Sequence, residues 1–540
     1  MEKETLHNRP PIPQEELLAF LLDPRSYPYK PKRVQLVQTH ASYVLLVPPY
    51  VYKVKKPVNF GFLDFSTLEK RRYFSEREVE LNRRLCQGTY LGVVPISIRK
   101  GRLAFGEGGE VVEYAVKMRK LPEKYFLKRR LERGEVGSDD LDRIVEKLAA
   151  FYEGQATTEE IKEWGRIEKL KISTDENFRQ TEGYIDLTLS RPAFEAIKFY
   201  TESFYAQMAL LFESRILEGR IKDCHGDLHL EHIHVSPQAL CIYDCIEFND
   251  RFRYLDVAND VAFLAMDLDY NGRPDLARLF VSRMAQKLDD PGMLQLMDFY
   301  KCYRAYVRGK VESLRSSEPE VPELERERSL EQARRYFHLA LNYAVVGSEP
   351  HVLVVMGVVG SGKSVLAVRL AQELGWEVFS SDRVRKELAG LPLYERSKGA
   401  VRSWLYSEAM TEKTYETLFQ HAEKGVKEGR SVILDATFSR RLHRDRLREQ
   451  LKPLGSPYCF IETWASDEVL KARLKSREGK ADEVSDARFE NFAALSQSYE
   501  PPHELNPLQF LLIQTKGPKE ETVIEALKGL IWLHLLKSSK

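Results

Sequence analysis

The sequence of 540 residues predicts two domains of different fold class, an α+β domain followed by an α/β domain with a doubly wound parallel sheet. Three observations support this prediction. The chain is too long for one hydrophobic core, and its length favours about two to four domains. Strands and one helix precede a mostly helical stretch in the first half. After residue 350, apolar strands alternate with amphipathic helices, which is typical of a parallel sheet covered on both faces.

The composition is that of an ordinary globular protein. Apolar residues make up 43% and charged residues 30%, and 82 basic residues nearly balance 81 acidic ones. No whole-molecule field therefore attracts nucleic acid or anionic membranes. The sequence shows neither a secretory leader nor an apolar run long enough to span a membrane, so we expect a cytoplasmic protein without a membrane partner. Six cysteines without a CxxC pair favour reduced thiols.

The clearest seam in the chain begins near residue 316. There the sequence "SSEPEVPELERERSLEQARRYF" turns polar and proline-bearing, and then becomes a highly charged helical run. We therefore predict a first domain over residues 1–315, a charged helical linker over 316–349 and a second domain over 350–540. The oligomeric state does not follow from the sequence.

The first domain opens with strands. Residues 33–56 and the segments "LGVVPISI" and "VVEYAVKM" have strand patterns, and a mostly helical stretch covers 122–222. A helix is predicted to begin at "STLEK", where Ser66 and Glu69 have the spacing of a capping box.

The second domain alternates strands and helices in order. The predicted elements are "HVLVVM", a helix closed by Gly375, "WEVFSSD", a long helix around 402–428, "SVILDATF", a further helix, "YCFIETWA", a helix near 467–477, "LQFLLIQT" and a last helix.

A phosphate-binding loop follows the first of these strands. The segment "GVVGSGKS" fits G-x-x-x-x-G-K-[ST] between a strand and a helix, as the motif requires. Its glycines let backbone N–H groups surround phosphate oxygens, while Lys363 reaches the β and γ phosphates and Ser364 ligates Mg²⁺. The predicted MgATP-binding residues here are Gly357, Val358, Val359, Gly360, Ser361, Gly362, Lys363 and Ser364.

Acidic and basic residues after later strands are candidates for the reaction of the nucleotide bound at this loop. Asp382 and Arg385 in "SSDRVRKEL" are one helical turn apart, where a carboxylate can accept the proton of the acceptor hydroxyl and a guanidinium can hold its phosphate. An N-cap role is the alternative for Asp382. Asp435 in "VILDAT" is a candidate to act on Mg²⁺ through water. Arg473 and Arg477 share a helix face and are suited to close over the phosphoryl group, or they form a solvated basic face.

These motifs resemble, in their order, the P-loop kinases related to polynucleotide kinase and the zeta toxins. The matching segments are the phosphate loop, "SSDRVRK", "ILDATF", the arginine-bearing lid helix and "SDARFE" at 485–490. The resemblance implies ATP-dependent phosphorylation of a hydroxyl, with Asp382 as the candidate base. The helix "SRRLHRDRLRE" has enough charge for a nucleic-acid end, but acidic residues interrupt it and no aromatic residue interleaves. We therefore favour a small-molecule hydroxyl over nucleic acid.

In the first domain, "HGDLHLEH" followed by "YDCIEF" resembles the aminoglycoside-phosphotransferase and choline-kinase branch of the kinase-like superfamily. The resemblance implies a two-lobed, protein-kinase-like fold. In it Asp227 orients or deprotonates the acceptor hydroxyl, and Asp244 holds Mg²⁺. Lys53 in "YVYKVKK" would grip the α and β phosphates and pair with Glu78, with Glu80 as the second candidate.

Two features depart from that family pattern. The loop "QTHAS" between the first strands has no glycine to cradle phosphate, and His232 stands where the second metal ligand is asparagine. Imidazole binds divalent ions but prefers softer ones than Mg²⁺. A zinc site built from this histidine-rich segment is disfavoured, because the segment lacks the paired close ligand spacing of closed zinc sites. Three functions stay open. They are an ATP-dependent phosphotransferase whose second domain is the main catalyst, a nucleotide-gated regulatory protein with a pseudokinase first domain, and a 5′-hydroxyl polynucleotide kinase.

Overall fold

A computed structural model describes residues 12–395, 397, 399–477 and 497–538 of the chain. Backbone packing divides it into two compact units. The first unit comprises residues 1–170 and 211–296, and the second comprises 171–210 and 297–540. The predicted domain limits at 315 and 349 stay a prediction. The units differ from them in placing the helices of 171–210 and 297–345 with the second half of the chain.

Strands are numbered along the chain. They are β1 (Gln35–Gln38), β2 (Ser42–Val47), β3 (Tyr50–Lys55), β4 (Tyr90–Arg99), β5 (Arg102–Phe105), β6 (Glu110–Arg119), β7 (Ile221–Asp223), β8 (Ile233–Val235), β9 (Leu240–Ile242), β10 (Tyr254–Asp256), β11 (Val352–Met356), β12 (Glu377–Ser380), β13 (Val432–Asp435), β14 (Tyr458–Trp464) and β15 (Phe510–Gln514).

Helices are numbered in the same way. They are α1 (Gln14–Leu22), α2 (Leu68–Arg83), α3 (Leu127–Glu132), α4 (Ser138–Glu153), α5 (Glu159–Glu163), α6 (Ile167–Thr181), α7 (Arg191–Gln207), α8 (Ala209–Leu217), α9 (Val257–Tyr270), α10 (Pro274–Lys287), α11 (Gly292–Ser316), α12 (Glu323–Val345), α13 (Lys363–Leu374), α14 (Ser381–Leu388), α15 (Gly399–Leu405), α16 (Glu408–Lys427), α17 (Arg441–Leu451), α18 (Asp467–Arg477) and α19 (Lys519–Ser538).

The first unit contains a six-stranded antiparallel sheet in the order β1-β2-β3-β6-β4-β5. Helix α2 packs against β4 and β6. On β2 and β3 the residues alternate, so that Leu45, Val47 and Val54 are fully buried beneath α1. The strands and the helical stretch that follows them lie where the sequence predicts them.

Helix α2 begins one residue later than expected. The predicted capping box at Ser66 is wrong, because the N-cap residue is Thr67, whose hydroxyl accepts a hydrogen bond from the Lys70 N–H. The Ser66 hydroxyl instead donates to Asp64 over 2.6 Å.

The second unit contains a five-stranded sheet in which every pairing is parallel. Its order is β12-β13-β11-β14-β15, with β11 at the centre. All five residues of β11 are buried, as expected of a parallel strand covered on both faces. The predicted parallel-sheet α/β domain is confirmed. Because the chain moves from β13 to β14 across β11, the carboxyl end of β11 lies where the strand order reverses, which is where such folds bind ligands.

Two predicted helical segments differ in detail. The expected long helix over 402–428 is divided into α15 and α16, and the Ser407 hydroxyl caps α16 by accepting from the Met410 N–H. Most of the segment predicted as a linker forms α12, which packs against α7, α13 and α19.

The cysteines depart from expectation at one pair. Cys86 and Cys241 form a disulfide with a Cα–Cα distance of 4.5 Å, so the prediction of reduced thiols is wrong for them. They are 155 residues apart in sequence, so local spacing gave no indication of the pairing. The other four cysteines are free and buried. Among the described residues, no helix is both long and apolar enough to cross a membrane.

Candidate functional site

The phosphate loop joins β11 to α13 in a conformation that depends on its glycines. Gly357, Gly360 and Gly362 have φ values of 137°, 86° and 98°, in the region that side-chain-bearing residues rarely adopt. A Cβ atom on Gly357 would lie 2.6 Å from the Thr463 carbonyl oxygen, so this position also excludes any side chain on steric grounds. Helix α13 begins at Lys363 directly after the loop, and its amino end offers N–H groups and a positive dipole to an anion.

Asp435 ends the neighbouring strand β13 and is only 3% exposed. Burial raises the pKa of its carboxyl group, whereas the Lys363 charge and a hydrogen bond with Ser364 act to lower that pKa. No described residue hydrogen-bonds Asp435 Oδ1. A buried carboxylate oxygen beside the loop serine suits a hard divalent cation such as Mg²⁺, so the donor set fits the predicted ion.

Asp382 is the second residue of α14. Its predicted alternative role as N-cap is wrong, because Ser380 occupies that position. The charge of Asp382 contributes to raising the pKa of Asp435, which brings it into the electrostatic environment of the phosphate loop. A carboxylate in this environment has the chemistry of a proton acceptor, and the role of Asp382 as base remains a prediction.

Arg385 on the same helix is 7% exposed and turned towards α15 and α16. Its Nη1 donates to the Leu405 carbonyl over 2.8 Å and to the Thr411 hydroxyl over 3.1 Å, and its guanidinium lies 4.6 Å from the Tyr406 ring centroid. These contacts join α14 to the following helices. The role of Arg385 in holding a phosphate stays a prediction.

Arg473 on α18 contacts the backbone of the phosphate loop. Its Nη1 lies 3.3 Å from the carbonyl oxygens of both Gly360 and Ser361, and donates to the Thr515 hydroxyl over 3.0 Å. The predicted closure over a phosphoryl group is untested. Arg477 is the last residue of α18 and its side chain lies outside the described residues, as does the segment "SDARFE".

The arginine-rich helix α17 and its N-terminal neighbour Arg440 are neutralised by acidic side chains. The ion pairs of these arginines are Arg440–Glu408, Arg441–Asp445, Arg444–Glu504, Arg446–Glu412, Arg446–Glu416 and Arg448–Asp445. Arg444 is fully buried. This pairing leaves little net positive charge to bind the phosphates of a nucleic acid. It agrees with the interpretation of α17 as a solvated helix face and not a nucleic-acid site.

The first unit gathers its predicted site residues into one partly buried cluster. Lys53 Nζ lies 3.0 Å from Glu78 Oε1 and donates to Asp244 Oδ1 over 2.7 Å. Lys55, on the same face of β3, donates to Glu78 Oε2 over 2.7 Å and also to Glu247. The predicted partner Glu78 is thus the one used, whereas Glu80 is exposed and pairs with Arg77.

The charges in this cluster stabilise one another. Burial lowers the pKa of Lys53, but Asp244 and Glu78 outweigh burial and raise that pKa well above its usual value. Burial raises the pKa of Asp244, yet the charges of Lys53 and His232 leave it below the ordinary value. The cluster is therefore charged at neutral pH.

Helix α9 holds the "HGDLHLEH" segment in place. Asp260 is fully buried, and its two carboxylate oxygens accept from the backbone N–H groups of His225 and Gly226, each over 2.9 Å. Asp267 accepts from the Leu230 N–H over 2.9 Å. Gly226 has a φ of 85°, and a Cβ there would lie 2.6 Å from the Phe252 carbonyl oxygen.

His232 lies between Asp227, the predicted catalytic carboxylate, and Asp244, the carboxylate predicted to hold Mg²⁺. Its Nδ1 is 3.4 Å from Asp227 Oδ2, and its Nε2 is 3.5 Å from Asp244 Oδ2. Asp244 has a φ of 61°, a strained value of the kind found at functional sites. Burial is the main cause that lowers the pKa of His232, and the neighbouring His229 lowers that pKa further.

Sequence reasoning missed several members of the cluster. Lys55 has no predicted role beside Lys53, although strand alternation puts both on one face, and the buried carboxylate Glu247 has none within the quoted "YDCIEF". Asp260 lies in the segment "YLDVANDVAFL", where two aspartates at the start of an otherwise apolar helix could have indicated an anchoring role.

Comparison with known proteins adds to this geometry. An uncharacterized protein of Mycobacterium tuberculosis, Rv2004c, is 31% identical over 495 residues, which cover 91% of this chain and 94% of that protein. The chain belongs to the same family as this mycobacterial protein.

Matches to characterised proteins fall in the second half. A family model described as an AAA domain matches residues 352–502. The gluconokinase of Gluconobacter oxydans is 30% identical over 140 residues, covering 25% of this chain and 69% of that enzyme. A crystal structure of a gluconokinase from Sinorhizobium meliloti is 22% identical with a TM-score of 0.26, and covers 35% of this chain and 94% of that one. With the loop geometry, the sequence matches show that the second half contains a P-loop kinase domain, so the protein is a phosphotransferase.

Proposed function

We propose that the second unit catalyses transfer of a phosphoryl group from MgATP to a hydroxyl of a small molecule. The observation that carries the proposal is the loop of three left-handed glycines before α13, with the buried carboxylate of Asp435 beside Lys363 and Ser364. Bound MgATP would supply the phosphoryl group and a divalent ion that offsets its charge.

The residues of the chain divide the work in this proposal. The backbone N–H groups of Gly357–Ser364 and the Lys363 ammonium bind the phosphates, and Ser364 and Asp435 hold the ion. Asp382 accepts the proton of the acceptor hydroxyl. Arg473 keeps the loop in shape through the carbonyls of Gly360 and Ser361.

The acceptor class is inferred from two observations. The second unit is similar to gluconokinases, enzymes named for a polyhydroxylated substrate. Tyr406, which contacts Arg385, is 43% exposed, and Trp404 two residues earlier is 51% exposed. Aromatic faces of this kind suit the C–H faces of a sugar-like molecule. Both favour a small polyhydroxylated acceptor over a polynucleotide end, and the ion pairs of α17 point the same way.

The first unit is proposed as a second, kinase-like nucleotide site. Support comes from the Lys53–Glu78 and Lys53–Asp244 ion pairs, and from Asp227 on a loop that Asp260 anchors. In this proposal Lys53 grips phosphates, Asp244 holds a metal ion and Asp227 orients an acceptor. The experiment below distinguishes a first unit that transfers phosphate from one that only senses nucleotide.

The test uses the purified full chain, labelled ATP and a panel of sugars, sugar acids, amino alcohols and 5′-hydroxyl oligonucleotides. Lys363→Ala and Asp227→Ala are compared with Lys452→Ala and Asp139→Ala, exposed residues of the same types in the same units. We expect Lys363→Ala to lose at least about a hundredfold of transfer to a small molecule, with the controls unchanged.

Other outcomes would change the account. Transfer that survives Lys363→Ala but is lost in Asp227→Ala would place the chemistry in the first unit. Asp227→Ala without effect on any transfer would favour a regulatory first unit. Phosphorylation of oligonucleotides alone would overturn the small-molecule acceptor.

A further inference from the structure

A cleft in the first unit is lined by residues that have no part in the phosphotransfer proposal. Its volume is about 430 Å³, within the roughly 300–1,000 Å³ of small-molecule pockets. The walls come from α3 and the residues on either side of it, from the first two turns of α4 and from the turn that joins β8 to β9. A small organic molecule therefore fits the cleft.

Basic side chains predominate in the lining of this cleft. Four basic side chains line it against two acidic ones, so positive charges exceed negative ones by two. The basic residues are Lys124, Arg130, Arg133 and Arg143, and the acidic residues are Glu135 and Asp140. The whole chain has a formal net charge of +1, so this excess is a local feature that favours an anion.

Two of the arginines are neutralised by the two carboxylates. Arg130 donates to both oxygens of Asp140, over 2.7 and 3.0 Å, and the two side chains are only 18% and 13% exposed. Arg133 donates to both oxygens of Glu135 in the same way, over 2.7 and 2.6 Å. Bidentate pairs of this kind have a fixed geometry, so they form part of the wall and leave neither carboxylate to the other cations.

The other two cations form no ion pair with any carboxylate of the described residues. Arg143 is half-buried, and its Nη2 donates to the Ser236 carbonyl over 2.8 Å, which orients the guanidinium. Lys124 is exposed, and its Nζ lies 4.8 Å from the ring centroid of Tyr125. The positive charge of both groups is therefore available to a ligand in the cleft.

The turn that orients Arg143 is closed by its own hydrogen bonds. The Ser236 N–H donates to the Ala239 carbonyl over 2.9 Å, and the Ala239 N–H donates to the Ser236 hydroxyl over 3.0 Å. Ser236 is only 8% exposed. The guanidinium is thus held by a fixed part of the backbone, which lowers the entropy lost when a ligand binds.

We propose that this cleft binds a small molecule with at least two negative charges on phosphate or carboxylate oxygens. Arg143 supplies a planar guanidinium that suits such oxygens, and Lys124 supplies a second point charge. A neutral molecule of the same size would leave both cations without a counter-charge. The lining residues differ from those assigned to MgATP in either unit, so this proposal and the phosphotransfer proposal can fail separately.

The test follows the modification of individual arginines by phenylglyoxal in the full chain, with peptide mass spectrometry as the readout. The probes are inorganic phosphate, glycerol 3-phosphate and citrate, each compared with chloride at equal ionic strength. A probe that saturates the cleft should slow modification of Arg143 by at least about tenfold, because only the unoccupied cleft reacts. Arg33, an exposed arginine of the same unit, should react at an unchanged rate.

The residue-by-residue readout separates this cleft from anion binding at the phosphate loop. Protection by the two phosphate compounds alone would identify a phosphate ligand, and protection by citrate alone would identify a carboxylate ligand. Unchanged modification of Arg143 with all three probes would overturn the proposal, as would equal slowing at Arg33.

A variant tests the second cation. Lys124→Gln should raise the probe concentration needed for half-protection of Arg143 by at least about threefold, because one of two exposed charges is lost. Lys32→Gln, at an exposed lysine of the same unit, should leave that concentration unchanged. Equal half-protection in Lys124→Gln and wild type would contradict a site built from two cations.

Discussion

The buried ion pairs around Glu78 allow a prediction with a magnitude. Glu78 is fully buried and its two oxygens contact Lys53 and Lys55, so Glu78→Gln removes one charge shared by two buried ammonium groups. Loss of one partner from a buried pair destabilises by about 3–5 kcal/mol. Lys53 keeps Asp244 and Lys55 keeps Glu247, so we expect a value near the lower end, about 3 kcal/mol.

Hydrogen exchange is the appropriate assay, because a chain with two units need not unfold in one step. Exchange is followed by mass spectrometry in peptides covering β3 and α2. A loss of about 3 kcal/mol should accelerate exchange there by roughly a hundredfold, with peptides of β11 and α13 unchanged.

Glu80→Gln is the matched control on the same helix. Glu80 is exposed and its pair with Arg77 is a surface pair, for which we expect about 0–1 kcal/mol. Equal exchange in Glu78→Gln and Glu80→Gln would refute the description of Glu78 as the centre of a buried charge cluster.

Three further predictions concern the second unit. The buried His351 has a pKa lowered by burial to about 4. Because the unfolded ring titrates near 6.5, its contribution to stability is complete above that pH and is lost as the pH falls towards 4, by about 3 kcal/mol. His351→Gln should reduce this dependence of the unfolding free energy on pH, measured by urea unfolding at several pH values. An unchanged pH dependence would contradict the prediction. Asp435→Asn should stabilise the nucleotide-free protein by about 1–2 kcal/mol, because it removes a buried charge. It should also abolish the Mg²⁺ dependence of nucleotide binding in calorimetry. Lower stability of the variant would contradict the first expectation. Arg473→Ala should weaken nucleotide binding by roughly tenfold through loss of the loop brace, whereas Lys475→Ala on the exposed face of α18 should not; equal affinities would show that the brace is unimportant.

Local motifs carried much of what could be predicted. The glycine spacing of 357–362 and the flanking periodicity define the phosphate loop, because the constraint acts within a few residues. The choice of Glu78 over Glu80 also holds, since helical periodicity turns one inward and the other to solvent.

Other features depended on contacts that no local pattern encodes. The Lys55–Glu247 pair joins residues 192 positions apart, and the Cys86–Cys241 disulfide joins residues 155 apart. Ser66 and Thr67 are both good caps, and the choice fell to Thr67 because Asp64 takes the Ser66 hydroxyl. The contacts of Arg473 with the phosphate loop could not be predicted either, because its partners Gly360 and Thr515 are remote in sequence.

The most direct test of the central claim is a crystal structure of the full chain with Mg²⁺ and a non-hydrolysable ATP analogue. We predict that the phosphates lie against the backbone of Gly357–Ser364, with the ion beside Ser364 and Asp435. A structure in which the analogue binds elsewhere while this loop holds no phosphate would contradict the account.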